Sequence, residues 1–303
     1  MKDRILKIKA NAKINLTLEV LGMRPDGFHE LRSVLMPVSL FDTVTLEEIP
    51  GPGIEVEMRA EGVDVSGMSG ENLAARAAKL FQARTGISRG VRIRIVKRIP
   101  LGGGLGGGSA DAAAVLRGLQ TVWDARLKRA ELLSMAAELG SDVPAMTLGG
   151  AVLMEGRGEK VRRIRVPGDR RMWILLANDG THCPTAEIYG HYDRMEGRFE
   201  KKGTASLDIV SPVFNGDTRA VAGLLSNDLQ EVVLNGFIDI RLLYRKMLSE
   251  EGALGVLVSG SGSSVFALMG SETQGKKLRA KIKEYACWSA LVQTLPGDPP
   301  PAV

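Results

Sequence analysis

Ile99-Pro-Leu-Gly-Gly-Gly-Leu-Gly-Gly-Gly-Ser109 places six glycines in the seven positions 102–108. Upstream, residues 91–98 alternate apolar and basic side chains, the period of a half-buried strand; downstream, Ala110-Asp-Ala-Ala-Ala-Val115 opens a helical pattern. The stretch is therefore a strand–loop–helix junction. Glycine lets a backbone take positive φ and approach a ligand with no Cβ in the way, and the following helix turns unpaired N–H groups and a positive dipole end toward the loop. Such a junction suits phosphate, with Ser109 expected as the helix N-cap. A flexible linker or a tight packing turn is the plain alternative, less natural for a loop without serine filler that abuts a helix start. The P-loop pattern needs Gly-Lys-Ser/Thr, and Gly108-Ser109-Ala110 has no lysine. The dinucleotide pattern needs an acidic residue about 20 positions on, ending a second strand, and a helix follows instead.

Working outward, alternation marks strands over 5–9, 13–20, 43–48, 54–59 and 91–98. A helix from Asn72-Leu73 to 84, with Leu73, Ala77, Leu80 and Phe81 at helical spacing and Gly86 past its end, crosses between the last two. Further helices are expected over 109–123, burying Val115, Leu116, Leu119, Val122 and Trp123, and over 129–139. After the basic stretch 157–165 a new alternation begins: an apolar run 172–177, a helix near 184–189, a Gly/Lys-rich interval 197–204, and helices near 221–224 and 238–250. Strands at 256–258 and 264–269, a charged helix from Glu272, a last strand before Pro296 and a frayed tail 298–303 complete the reading. The boundary falls near 165, giving domains 1–165 and 166–303, both mixed α/β.

The chain of 303 residues, 44% hydrophobic and 25% charged, carries ample apolar content for a core. Cys183 and Cys287 have no CxxC or Cys/His partner at ligand spacing, which excludes a disulfide framework. Lysines interrupt every apolar run of the first 20 residues, and nowhere do about 18 apolar residues follow one another. A soluble, cytoplasmic protein without membrane attachment is expected. The net charge of +5 favours anionic partners. Basic residues are scattered and aromatics reach only 5%, a poor basis for stacking nucleic-acid bases.

Three segments together resemble the GHMP small-molecule kinases: Ala12-Lys-Ile-Asn-Leu16, the loop from Pro100 to Ala113, and Val258-Ser-Gly-Ser-Gly-Ser-Ser-Val-Phe-Ala267. Arg24-Pro-Asp-Gly-Phe-His29, Gly140-Ser-Asp-Val-Pro144, Glu155-Gly-Arg-Gly-Glu159 and Ser226-Asn-Asp-Leu229 resemble a branch of that family whose substrate carries a cytidine diphosphate. The resemblance implies an α+β, two-domain GHMP kinase fold: a ribosomal S5 domain 2-like amino-terminal domain for ATP binding and catalysis, and a ferredoxin-like carboxy-terminal domain. It implies ATP and Mg²⁺, transfer of the γ-phosphoryl to the 2-hydroxyl of a small-molecule cytidine diphosphate-linked substrate, and a monomer or weak homodimer that binds no nucleic acid. Positioning and charge stabilisation dominate such chemistry, so one base, one cation and an anion cradle suffice.

By the same resemblance, Asp142 accepts the hydroxyl proton, with Lys13 beside it as electrostatic partner; Asp142 also stands where a helix N-cap before Pro144 would. Asn15, two residues from Lys13 on a strand, shares its face and is expected to hold substrate, or to satisfy backbone at a strand end. Phe28 and His29, on a turn after Asp26-Gly27, and Tyr189 are expected to hold cytosine; Phe28 stands where tyrosine is expected. Pro100, Gly102, Gly103, Gly104, Gly106, Gly107, Gly108 and Ser109 are expected around the ATP phosphates, with Asn72 and Lys97 near the adenosine. Ala110 removes a hydroxyl that some members have, and Asp111 reads as an acidic first-turn residue rather than a metal ligand; the metal ligands stay open. The Gly260-to-Ser263 stretch is a backbone anion nest or a tight turn between strands. His182 and His191 have no ligand partner and read as surface residues. Other family kinases acting on homoserine, mevalonate or a sugar, a decarboxylase on the same scaffold, and an S5-like nucleic-acid binder remain as alternatives.

Overall fold

A computed structural model describes residues 5–64, 72–197, 199 and 203–297; the expected tail 298–303 and part of the 197–204 interval lie outside them. The frame is set by a long strand, β1 (Ile5–Met23). Its even residues from Leu6 to Val20 are all buried and apolar, as period-2 alternation requires. The odd face starts exposed at Ile5, Lys7 and Lys9, then becomes buried and polar at Lys13, Asn15, Thr17 and Glu19. Expected as two strands, 5–9 and 13–20, this stretch is one. The interruption is absorbed by register shifts against β2 (His29–Ile49) between Asn11 and Lys13 and between Asn15 and Thr17, the kind of irregularity that re-aims side chains beside a site. Only 43–48 of β2 was expected.

Strands β3 (Ile54–Ala60) and β4 (Gly90–Lys97) pair in parallel across helix α1 (Leu73–Thr85), the expected crossover. With β5 (Val152–Gly156), β6 (Lys160–Arg163) and β8 (Ser226–Asn227) they form a seven-stranded sheet with the path β3-β4-β2-β1-β8. Helices α1, α2 (Gly107–Val122) and α3 (Arg129–Leu139) cover one face, burying Phe81, Val115 and Leu119 against Ile8, Leu46 and Ile93. The second sheet joins β7 (Trp173–Asn178), β9 (Ala253–Val258), β10 (Val265–Met269) and β11 (Trp288–Gln293) in the order β11-β7-β10-β9, all antiparallel. With helices between β7 and β9 and between β10 and β11, this is the ferredoxin-like arrangement. The sheets share a core in which Ala12, Ile14 and Leu16 of β1 meet Ile174, Leu176 and Phe266.

The two halves also exchange backbone. Strand β8, from the second half, pairs in parallel with β1 at Thr17 and Leu18, and the next residue, Asp228, accepts a hydrogen bond from Val20 N–H at 2.7 Å. No helix among the described residues is long and apolar enough to cross a membrane.

Candidate active site

The glycine loop crosses the mouth of a cleft of about 920 Å³ between the two halves. Helix α2 starts at Gly107 with Gly106 as its N-cap at φ +69°, so Ser109 is not the cap expected of it; it sits in the first turn and lines the cleft. Gly104 is held at φ +68°, and a Cβ there would lie 2.0 Å from the Ser259 carbonyl oxygen. The loop is thus pressed against the β9–β10 turn, where Ser264 N–H donates to Gly103 O and Ser259 Oγ to Gly104 O. The 260–263 stretch is the turn between strands and also a wall of the cleft, through Gly260 and Ser261. Asn227 fixes it from behind, donating to Val258 O and Gly260 O at 2.9 and 2.8 Å.

We expect Gly104→Ala to weaken ATP binding at least tenfold and to cost about 1–3 kcal/mol of stability, since alanine meets both an unfavourable φ and a backbone oxygen. Nucleotide titration together with thermal melting checks this; unchanged values for both would show that the loop does not depend on this close approach.

Lys13 projects from the odd face of β1 beneath the loop, 3% exposed. Its ammonium donates to Asn15 Oδ1 at 2.7 Å and to Gly104 O at 2.8 Å, and stands 3.3 Å from Asp142 Oδ2. Asn15 in turn donates to Ser33 Oγ at 2.9 Å, fixing which of its ends faces the lysine. Asp142 occupies the N-cap position of α4 (Val143–Leu148), yet its carboxylate makes no capping bond and turns to Lys13 instead. A short helix that forgoes its cap to hold a carboxylate at a cation in a cleft is arranged for that contact rather than for its own end.

At the far end, Arg24 clasps Asp26 and Glu30 and so closes the turn that carries Phe28 and His29; the Arg24 hydrogen bonds hold the Asp26 carboxyl below its ordinary range. His29 Nε2 is 2.8 Å from Asp193 Oδ1, and its ring lies 4.7 Å from that of Tyr189 at a 30° tilt. Tyr189 is on α5 (Thr185–Tyr192), and burial pushes its phenol above the ordinary value, so it stays protonated. Phe28 is 48% exposed, with the Arg157 guanidinium 5.1 Å from its ring centre. Asp193 and Arg157 were not singled out from the sequence: the first lies 164 residues from its histidine, and the second was read only as part of Glu155-Gly-Arg-Gly-Glu159. His182, expected as a surface residue, is exposed but also lines the cleft beside Gly102; His191 is exposed.

Not every expected ATP residue faces the cleft. Gly102, Gly104, Gly106 and Ser109 line it. Gly103 is turned toward Ser264 and Pro100, Gly107 toward Ile99 and Lys97, and Gly108 is exposed. Asn72 caps α1, accepting from Ala74 N–H at 2.8 Å. The Lys97 ammonium is enclosed, bound to the carboxylates of Asp42 and Asp111, the latter at 2.8 Å. It props the loop from below, and Asp111, read as an acidic first-turn residue, is instead the buried partner of that ammonium. Among the described residues no cluster of three or more His, Cys, Asp or Glu side chains could hold a metal ion.

The family model described as GHMP kinases N terminal domain matches residues 72–150, and that described as GHMP kinases C terminal matches 213–286. A protein of Alkaliphilus metalliredigens, "4-diphosphocytidyl-2-C-methyl-D-erythritol kinase", is 38% identical over 95% of this chain and 96% of its own length. The chain belongs to the GHMP kinase family. Among solved structures, a "4-(cytidine 5'-diphospho)-2C-methyl-D-erythritol kinase" superposes with a TM-score of 0.79 at 30% identity, covering 95% of this chain and 99% of that one. A homoserine kinase from Cytophaga hutchinsonii gives 0.73 at 17% identity, covering 100% and 98%; that likeness extends to the fold alone. As a GHMP kinase the chain uses ATP as phosphate donor. Its first sheet with the parallel crossover is the family's S5-like half, and its second sheet the ferredoxin-like half.

Proposed function

We propose that this GHMP kinase transfers the γ-phosphoryl group of ATP to the 2-hydroxyl of 4-diphosphocytidyl-2-C-methyl-D-erythritol, giving the 2-phosphate and ADP. The observation that carries the reading is the 3.3 Å contact between Lys13 Nζ and Asp142 Oδ2, set between the glycine loop and the His29–Tyr189 ring pair. Asp142 takes the hydroxyl proton as the oxygen attacks the γ-phosphorus. Lys13 faces that carboxylate and, already fixed by Asn15 and Gly104, offsets charge on the phosphoryl oxygens without reorganising. Asn15 steadies the lysine and the acceptor end of the substrate. Gly102, Gly104, Gly106 and Ser109 receive the triphosphate, while the division between the domains runs near residue 165, between β6 and β7.

The absence of a carboxylate cluster among the described residues suits Mg²⁺ brought in on the nucleotide, since that ion takes one or two protein oxygens and fills its shell with phosphates and water. Ser109, in the first turn of α2, is a cleft oxygen that would hold it. When bound it neutralises charge on the β- and γ-phosphates. On the outer face of the first sheet, Arg92 and Arg94 are engaged by Glu47, Glu55 and Glu57 rather than left for a phosphodiester backbone, which supports small-molecule substrates over nucleic acid.

The test is ATP consumption with the diphosphocytidyl substrate set against mevalonate, homoserine and galactose. Turnover of the first alone is expected; comparable turnover of another would replace this substrate while leaving the kinase reading intact. Phe28 gives a finer check. Stacking on an aromatic ring contributes about 1–3 kcal/mol per base, so Phe28→Ala should raise KM for the cytidine substrate roughly 5- to 150-fold with KM for ATP unmoved. Phe28→Tyr keeps the ring face and should stay within about threefold of the parent.

A further inference from the structure

A second cavity, about 530 Å³, lies nearer the start of β1, lined by Lys9 and Asn11 of its odd face, and shares with the cleft only Lys13. Four cations line it, Lys9, Lys13, Arg117 and Arg171, against a single carboxylate, Asp169. Asp169 is occupied by Arg171 Nε, Lys13 by the catalytic groups, and the Lys9 ammonium lies over the Phe41 ring at 4.6 Å. Arg117 is different. It stands one heptad along α2 from Ala110, another lining residue, and has no hydrogen bond or ion pair among the described residues.

Burial lowers the Arg117 pKa, with no neighbouring carboxylate offsetting it, and a guanidinium remains charged even so. Arg117 is only half-buried and its guanidinium nitrogens are not among the enclosed polar atoms left without a partner, so an unfilled donor fork is open toward the cavity for an anion to meet. The rest of the wall is largely apolar, with Pro37, Met146, Val152 and Leu295 around the polar Asn11 and Ser39. A bare inorganic ion would leave those walls unused.

We propose that this cavity is a binding site for a small organic anion, a carboxylate or phosphate on a short apolar body, whose charged end pairs with Arg117 and Lys9 while the body lies against Pro37, Met146, Val152 and Leu295. Apart from Lys13, no group assigned a part in the proposed reaction lines this cavity, and a ligand there would lie outside the nucleotide cleft.

The experiment is calorimetric titration of the full chain with hexanoate and with butyl phosphate, using inorganic phosphate and hexan-1-ol as head-only and body-only controls. At least one amphiphile is expected to bind tenfold or more tightly than either control, with affinity unchanged within threefold at saturating ADP. Which of the two binds identifies the head group. Arg117→Met should weaken it at least tenfold and Lys9→Gln by a smaller factor. Lys9 is exposed, so its variant keeps the test decisive if Arg117→Met does not fold. Amphiphiles no tighter than phosphate, displacement by ADP, or indifference to Lys9→Gln and to any folded Arg117 variant would overturn the proposal.

Discussion

Asp142→Asn is expected to lower kcat by roughly 10²–10⁴-fold, the usual contribution of a positioned general base, with ATP affinity within about threefold of the parent. The substitution keeps the shape of the side chain and removes its negative charge, and with it the capacity to accept a proton. Lys13 retains Asn15 Oδ1 and Gly104 O, so the loop should keep its conformation. Asp142 makes no capping bond to α4, so little stability should be lost with the charge. Steady-state kinetics, nucleotide titration and a melting curve on one preparation separate these effects. Near-normal turnover in a folded, ATP-binding variant would remove Asp142 from the role of base.

The second large effect concerns the prop under the loop. Lys97 holds two carboxylates, and Asp42 also accepts the Arg98 and Ile99 N–H groups. Asp111 Oδ1 is buried with no hydrogen-bond partner among the described residues. Lys97→Met strands two acids in the interior, so a loss of about 3–5 kcal/mol is expected, roughly 5–8 °C in Tm for a chain of this length. Adding Asp111→Asn should restore part of it.

The pH dependence has a definite sign. Burial, only partly offset by Lys97 and reinforced by Asp42, pushes the Asp111 carboxyl up to about 7. Burial alone would lower the Lys97 pKa, but the two carboxylates outweigh it and hold the ammonium above its ordinary value, so it stays charged. Because the folded Asp111 value exceeds the unfolded one, near 3.9, its contribution is fully present below about pH 4 and is lost as pH rises to about 7. Melting curves from pH 4 to 8 should therefore slope downward from this group, and Asp111→Asn should flatten that slope. An unchanged profile in the variant would mean that Asp111 does not titrate in this range.

How much of this is legible without coordinates differs from element to element. The crossover helix α1 and the helix after the glycine loop carry clean 3.6-residue periodicity with glycine or asparagine at their ends, so their places follow from pattern. The first half of β2 does not alternate: Leu31, Val34, Leu35 and Met36 are all buried because this stretch packs on both faces, and Pro37 reads as a breaker although it sits at an irregularity opposite Lys13. Lys13 and Asn15 share a face by arithmetic, but their meeting with Asp142 depends on closure of the chain over more than a hundred residues. The same distance hides Asp193 from His29. Lys97 is the instructive difference: the resemblance puts it near the adenosine, whereas Asp42 and Asp111 hold its ammonium in the interior, and only their convergence in space reveals that.

The visit of β8 to the first sheet bears on how the molecule is made. A fragment ending before β7 would leave Thr17, Leu18 and Val20 with bare ladder groups and expose Ala12, Ile14 and Leu16 to water. Neither half is therefore expected to fold on its own. The polypeptide should melt in a single cooperative transition, and on a ribosome its first 165 residues would have to wait, unfinished, until the segment around residue 226 has emerged.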